Sequence, residues 1–409
     1  MDLHASQTLA SGGLRLLLMV RRILHGLLNI QAAQSFRPYQ LLESQQMMFD
    51  ILNEPENFTQ HFRRYSNSLT TTTTFGYRVP TYEDPHFKEL SQVFGEFVLI
   101  AQTGTAALLD YMPALRYLPS WILPPKRRAK THHQREKALY SIGLVEEQKK
   151  RRFDDNFASY ITGTLLEAGS DTTANTLLGF LCAMLVFPEV QHRARAEIDR
   201  VVGLRMPSFD DELKMQYVRG CVKESLRWMP TAILGAVPHA VTRDDYYMGF
   251  RIPAGAGVLN NVYEIHNDPL RYPHPDRFDP DRFKDDRQSA FDAAMNPDVS
   301  ERDHFTFGAG RRICQGMHAA EKSLFLGIAR LLWGFEFRRP VREDGDEIVL
   351  DPTQVTQGLV CSPSPFKAII SPRDSTRAEI IRKEWRGARE KNLETGSMQW
   401  KNFSTNPQT

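Results

Sequence analysis

Residues 305–316 read "FTFGAGRRICQG": a single cysteine, Cys314, behind two arginines and framed by Gly308, Gly310 and Gly316. Glycine tolerates φ > 0 and lets a backbone come close to a flat ligand. After Gly316, "MHAAEKSLFLGIARLLWGFEF" has helical periodicity, so Cys314 stands just ahead of a helix N-terminus. Such an end carries partial positive charge and free N–H groups, which favour thiolate over thiol. Cys182, Cys221 and Cys361 lie far away and form no CxxC pair. That excludes a disulfide framework and a zinc site and indicates a reducing compartment.

The 409 residues are 41% apolar and 24% charged with a net charge of +2, a globular composition. Near-neutral charge gives no electrostatic basis for a nucleic-acid partner, and none is expected. Near the N-terminus, "LRLLLMV" is broken by Arg21 and Arg22 before ~18 apolar residues accumulate, so it is too short to span a bilayer. No acid stands between Asp2 and Glu43, whereas Arg15, Arg21, Arg22 and Arg37 do. Two readings follow: a mitochondrial transit peptide, or an amphipathic helix of the folded domain.

The pattern is helical up to about residue 235. A long, mostly apolar helix is expected from about Asn156 to Phe187, stopped by Pro188. Pro188 starts the next helix and Gly203 caps it, while "MQYVRGCVKESLRWMP" is a further helix ended by Pro230. From 236, short β-prone runs broken by glycine and proline predict hairpins, and "HNDPLRYPHPDRFDPDRF" predicts an ordered meander. Helices first and small sheets later predict an α+β, mainly α, fold. Residues 1–384 are expected to form one domain, with 385–409 a loose polar tail. Inside the long helix stands "AGSDTT", Ala168 to Thr173; a glycine followed by Ser, Asp and Thr weakens or bends a helix interior.

Phe307, Gly310, Arg312, Cys314 and Gly316 fall in the spacing FxxGxRxCxG, a chance match on the order of one in ten thousand for this composition. A lone thiolate with glycine room around it is suited to bind one soft metal axially, such as haem iron. Arg312 is placed to pair with an acidic group on a ligand's rim. On these residues, from about 20 to 375, the sequence resembles the cytochrome P450 superfamily.

The resemblance implies haem b with Cys314 as its proximal iron ligand, Phe307 packed on the macrocycle and Arg312 on a propionate. It assigns proton relay to Asp171 and oxygen-side hydrogen bonding to Thr172, with Ala168 and Gly169 opening space above the iron. It makes Glu224 and Arg227 of "ESLR", with Arg282 of "FDPDRF", a buried structural triad. A solvated surface ion pair is the ordinary reading of Glu224 and Arg227 alone. Asp281 stands where the family often has Glu. No full GxGxxG follows a strand, since "GAGRRI" ends in Ile313. A separate NADPH-dependent cytochrome P450 reductase is therefore expected, with O2 as co-substrate.

Measured against the family, the anchor, first helices and part of the N-terminal sheet are expected to be missing, and Cys314 stands early. The tryptophan usual before "RR" is absent, with Arg21 or Arg22 as neighbouring candidates. Ala240 stands where many members place a propionate arginine, leaving His239 as the nearest polar candidate. Thr162, Leu165, Ile233, Leu234, Val237, Leu359 and Val360 are the expected substrate contacts. They are small or aliphatic and predict a modest apolar or aromatic substrate, which the resemblance narrows to an apolar or phenolic one. "VPHAVTRDDYYMGFRIPAGAGVLNNV" and "FGAGRRICQGMH" look most like filamentous-fungal members that tailor polyketide phenols in secondary metabolism. By resemblance the enzyme is monomeric and sits at the cytoplasmic face of the endoplasmic reticulum membrane. The alternatives are a truncated non-catalytic remnant and a haem-thiolate isomerase or dehydratase. Basic runs at 126–137 and 149–152 suit a solvated face, an anionic lipid surface or an acidic reductase face.

Overall fold

In a computed structural model, the described residues are 13–100, 112–119, 122–140 and 154–401. The first helices are α1 (Gly13–Leu28), α2 (Ile30–Ser35), α3 (Arg37–Asn53), α4 (Phe58–Phe75), α5 (Pro85–Ile100) and α6 (Pro124–Tyr140). Helix α1 packs Val20 and Ile23 against Ile161. That is the amphipathic-helix alternative for this basic stretch. The basic run at 126–137 lies on α6; the run at 149–152 lies outside the described residues.

Helix α7 (Asp155–Val186) organises the molecule. The Asp154 carboxylate caps it, accepting the Phe157 N–H at 2.8 Å. From Ala174 to Leu185 it is buried on every face. It packs on α4, α9 (Gln216–Trp228) and α12 (Met317–Gly334), with α8 (Pro188–Val202) beside them. Phe180, Leu181 and Met184 lie in this core, each contributing roughly 1.5–3 kcal/mol by burial. Pro188 sits in the first turn of α8, where its missing N–H costs nothing, and Gly203 ends α8 at φ +59°.

Beyond α9 the chain forms α10 (Val262–Asn267), α11 (Ala290–Met295), α12 and α13 (Ser375–Asn392). Among the described residues there are three two-stranded antiparallel sheets. β1 (His239–Ala240) pairs β4 (Gly257–Val258), β2 (Asp245–Tyr247) pairs β3 (Phe250–Ile252), and β5 (Phe335–Arg338) pairs β6 (Ile369–Pro372). The proline-rich meander is pinned by Arg271, whose guanidinium donates to the carbonyls of Val299, Ser300 and Arg302 at 3.0, 3.2 and 2.5 Å.

The loose tail expected from 385 is corrected. Helix α13 continues to Asn392, and Trp385 and Leu393 are buried against Leu42. Trp400 meets Tyr39 edge-on at 4.7 Å. Arg78 and Gln399 exchange two hydrogen bonds: the Arg78 N–H to Gln399 Oε1 at 2.8 Å, and Gln399 Nε2 to the Arg78 carbonyl at 2.9 Å. The segment is polar on average because a few large side chains carry all its burial. Residues 402–409 lie outside the described residues.

Candidate active site

The cysteine loop is held by its own backbone. The Gly308 N–H donates to the Phe305 carbonyl at 2.8 Å, and the Cys314 N–H to the Phe307 carbonyl at 2.9 Å. Closing so tight a loop takes φ +75° at Gly308 and +62° at Gly310, values that favour glycine. Gly316 matters for a different reason, since a Cβ there would sit 3.9 Å from the Cys314 sulfur and narrow the approach to it.

Cys314 is exposed, and the space it faces is a cavity of about 2270 Å³. Burial within the protein pushes its thiol pKa up, and the N–H groups of Gly316 and Met317 pull it down without prevailing. The helix terminus thus favours the thiolate through those two N–H groups, while burial opposes it.

The cavity suits a flat macrocycle with a substrate over it, being larger than the roughly 300–1,000 Å³ of a drug-sized pocket. Phe307, Arg312 and His239 line it, as does Arg21 but not Arg22. Among the described residues neither Arg21 nor Arg312 has an ion-pair partner, and Arg312 lowers the Arg21 pKa after burial has done so. Two guanidinium groups opening into one cavity, neither ion-paired among the described residues, fit a ligand that brings its own carboxylates. That is the chemistry of haem propionates.

Helix α7 forms the facing wall through Leu165, Ala168, Gly169, Thr172 and Thr173. Its polar interruption is braced by α4: Ser66 donates its hydroxyl to the Gly169 carbonyl at 2.8 Å. A Cβ on Gly169 would lie 2.5 Å from Thr70 Oγ1, so with Thr70 in place any larger residue must push the two helices or that side chain aside. The Thr172 hydroxyl donates to the Ala168 carbonyl at 2.8 Å, leaving oxygen lone pairs at the cavity wall. Asp171 does not line the cavity. Burial pushes its carboxyl pKa up, and Arg63 on α4 pulls it down.

Behind the loop, Glu224, Arg227 and Arg282 meet. Arg227 forks onto the Glu224 carboxylate at 2.7 and 2.8 Å, and Arg282 Nε and the Asp279 N–H add bonds at 3.2 and 2.8 Å. Arg227 also reaches the carbonyls of His266, Pro275 and Arg277, tying α9 to the meander. None of these groups lines the cavity.

Of the expected substrate contacts, Leu165, Val237, Leu359 and Val360 line the cavity. Three do not. Thr162 is fully buried, its hydroxyl bonded to the Ala158 and Ser159 carbonyls of its own helix. Ile233 turns to a separate pocket of about 540 Å³ beside Cys361, and Leu234 is exposed elsewhere. The residues after Pro230 form an irregular turn with φ > 0 at Gly235 and Ala236, which scatters their side chains. Sequence reasoning missed Ser66, Thr70, Glu167 and Arg37. The threonine run in "SNSLTTTTTF" was the available signal for the α4 wall.

The family model Cytochrome P450 matches residues 21–370. The chain is 45% identical to cytochrome P450 monooxygenase virE of Hypocrea virens, covering 98% of this chain and 77% of that relative. It is 44% identical to cytochrome P450 monooxygenase fogE of Aspergillus ruber, covering 97% and 78%. In fold it is similar to a zebrafish cytochrome P450 solved with abiraterone, at a TM-score of 0.67 and 21% identity, over 87% of this chain and 81% of that one. This chain therefore belongs to the cytochrome P450 family, monooxygenases built on a haem-thiolate iron.

Proposed function

We propose that this chain hydroxylates a small apolar or phenolic substrate in fungal secondary metabolism. Cys314 would hold the iron, Phe307 would pack on the macrocycle, and Arg312, Arg21 and His239 would take the propionates. When bound, the haem supplies oxygen activation, which thiolate donation favours. One atom of O2 enters a substrate C–H bond and the other leaves as water, with electrons from NADPH through a separate flavoprotein reductase.

The chain's own contributions are positional and protic. Leu165, Val237, Leu359 and Val360 offer an apolar wall, and the hydroxyls of Thr172 and Thr173 add acceptors for a phenolic O–H. Thr172 orients a proton donor at the wall. Asp171, buried within the influence of Arg63, would replenish that proton. Gly169 lets Thr70 of α4 pack close against this wall. We place the enzyme, as a monomer, at the cytoplasmic face of the endoplasmic reticulum membrane. No single helix among the described residues is long and apolar enough to cross it.

The observation that carries this reading is the Cys314 sulfur opening onto the same cavity as Arg21 and Arg312, neither of them ion-paired among the described residues. The test is turnover with a reductase, NADPH and a panel of phenols under isotopically labelled O2. A product carrying one labelled oxygen supports hydroxylation; rearranged or dehydrated product formed without NADPH would overturn it.

A further inference from the structure

We infer that His266 is a positioning residue for the iron ligand: it transmits the geometry of the buried Glu224–Arg227 pair to Phe305, the first residue of the cysteine loop. The inference rests on the reading of Cys314 as that ligand. His266 lies on α10 and has no exposed surface. Its Nδ1 is 2.9 Å from the Arg227 carbonyl, and the Phe305 N–H donates to its Nε2 at 2.8 Å. A backbone N–H can only donate, so Nε2 carries the lone pair and Nδ1 the proton. Both ring nitrogens are thereby committed.

The two ends of this bridge matter differently. The Arg227 carbonyl lies in the last turn of α9, where helix carbonyls have no partner within the helix. His266 satisfies it, and the Arg227 guanidinium returns a bond to the His266 carbonyl at 2.9 Å. At the other end, Phe305 begins the chain of bonds that sets the sulfur: its carbonyl takes the Gly308 N–H, and Phe307 takes the Cys314 N–H. The neighbouring Thr306 hydroxyl donates to the Leu226 carbonyl at 2.5 Å. Two adjacent carbonyls of α9 thus hold two adjacent loop residues, one directly and one through an imidazole. The rings of Tyr272, His304 and Phe305, 6.1–6.4 Å away, fix its plane. A second proton on this ring would set N–H against N–H at Phe305, and burial and the neighbouring His304, Arg227 and Arg271 oppose it further.

The test compares His266→Asn, whose amide can still donate to Arg227 but cannot reach Phe305, with His266→Gln, whose longer amide offers an acceptor there. Amide hydrogen exchange of Phe305 and Cys314 is read on the haem-free chain, and the reduced carbon monoxide spectrum on the haem-loaded one. In H266N, both amides should exchange about tenfold faster, the worth of one hydrogen bond. Part of the thiolate-type Soret band should move to its blue-shifted counterpart, and H266Q should restore both. Wild-type exchange and spectrum in H266N would overturn the inference, as would changes that merely track a lower unfolding midpoint. Should H266N not fold, H266Q decides alone: loosened Phe305 and Cys314 amides despite a wild-type midpoint in a variant that offers the acceptor would overturn it. If wild-type protein takes up no haem, the ligand reading fails, and the exchange result still judges His266.

Discussion

Arg227 and Glu224 form a bidentate ion pair one helical turn apart, with Nε and Nη2 at 2.7 and 2.8 Å from the two carboxylate oxygens and neither side chain exposed. Two charges so deeply placed are tolerated because every remaining donor finds a carbonyl of the meander. Arg227→Lys keeps the charge and loses the fork, so it should cost about 3–5 kcal/mol in urea unfolding of the haem-free chain. A loss below about 1 kcal/mol, the worth of a solvated pair, would contradict the burial described.

Gly169 and Thr70 set the spacing of α7 against α4. Gly169→Ala should cost about 1–3 kcal/mol by overpacking. Adding Thr70→Ala removes the two atoms that the new methyl meets most closely and should return most of that loss. Additive losses in the double variant would show that α4 and α7 do not touch there.

The cysteine loop, the long helix with its proline stop and the polar interruption at 168–173 were legible because local chemistry specifies each. What was not legible depends on distant partners. Ser66 meets Gly169 from 103 residues away, and no local pattern marks that hydroxyl as a brace. His266 reads as the start of a proline-rich meander until Arg227 and Phe305, each 39 residues off, are seen on its two nitrogens. The docked segment around Trp400 was hidden by polar neighbours, and Thr162 was misassigned because a helix position has a face but no known neighbour.

The buried imidazole also predicts a pH dependence. The histidine side chain ordinarily titrates near 6.5, and in the fold the pKa of His266 falls to about 3, chiefly through burial and then through its proximity to His304. Between these values the unfolded chain binds the extra proton, so stability rises with pH and falls as acid is added. The slope from this group is about 1.4 kcal/mol per pH unit below 6.5. His61, His304 and His318 shift in the same direction and add to it. From pH 6.5 to 5, above most carboxylate titration, H266Q should flatten the slope of urea-derived stability by close to one proton. An unchanged slope would mean that His266 is protonated in the fold.

Arg312→Ala should weaken haem retention by about tenfold to a hundredfold, the worth of one charge-assisted hydrogen bond. Arg21→Ala should weaken it too, while Arg22→Ala, which does not line the cavity, should leave it unchanged. Titration of haem into the three variants separates them. Equal losses in Arg21→Ala and Arg22→Ala would contradict the assignment.

The central claim is that Cys314 presents its sulfur to an iron in this cavity. A carbon monoxide difference spectrum of the reduced, haem-loaded chain tests it most directly, beside Cys314→Ala. The account predicts the thiolate-type Soret band that names the family in the wild-type chain and its loss in the variant. A blue-shifted band in both, or no haem uptake by the wild-type chain, would contradict it.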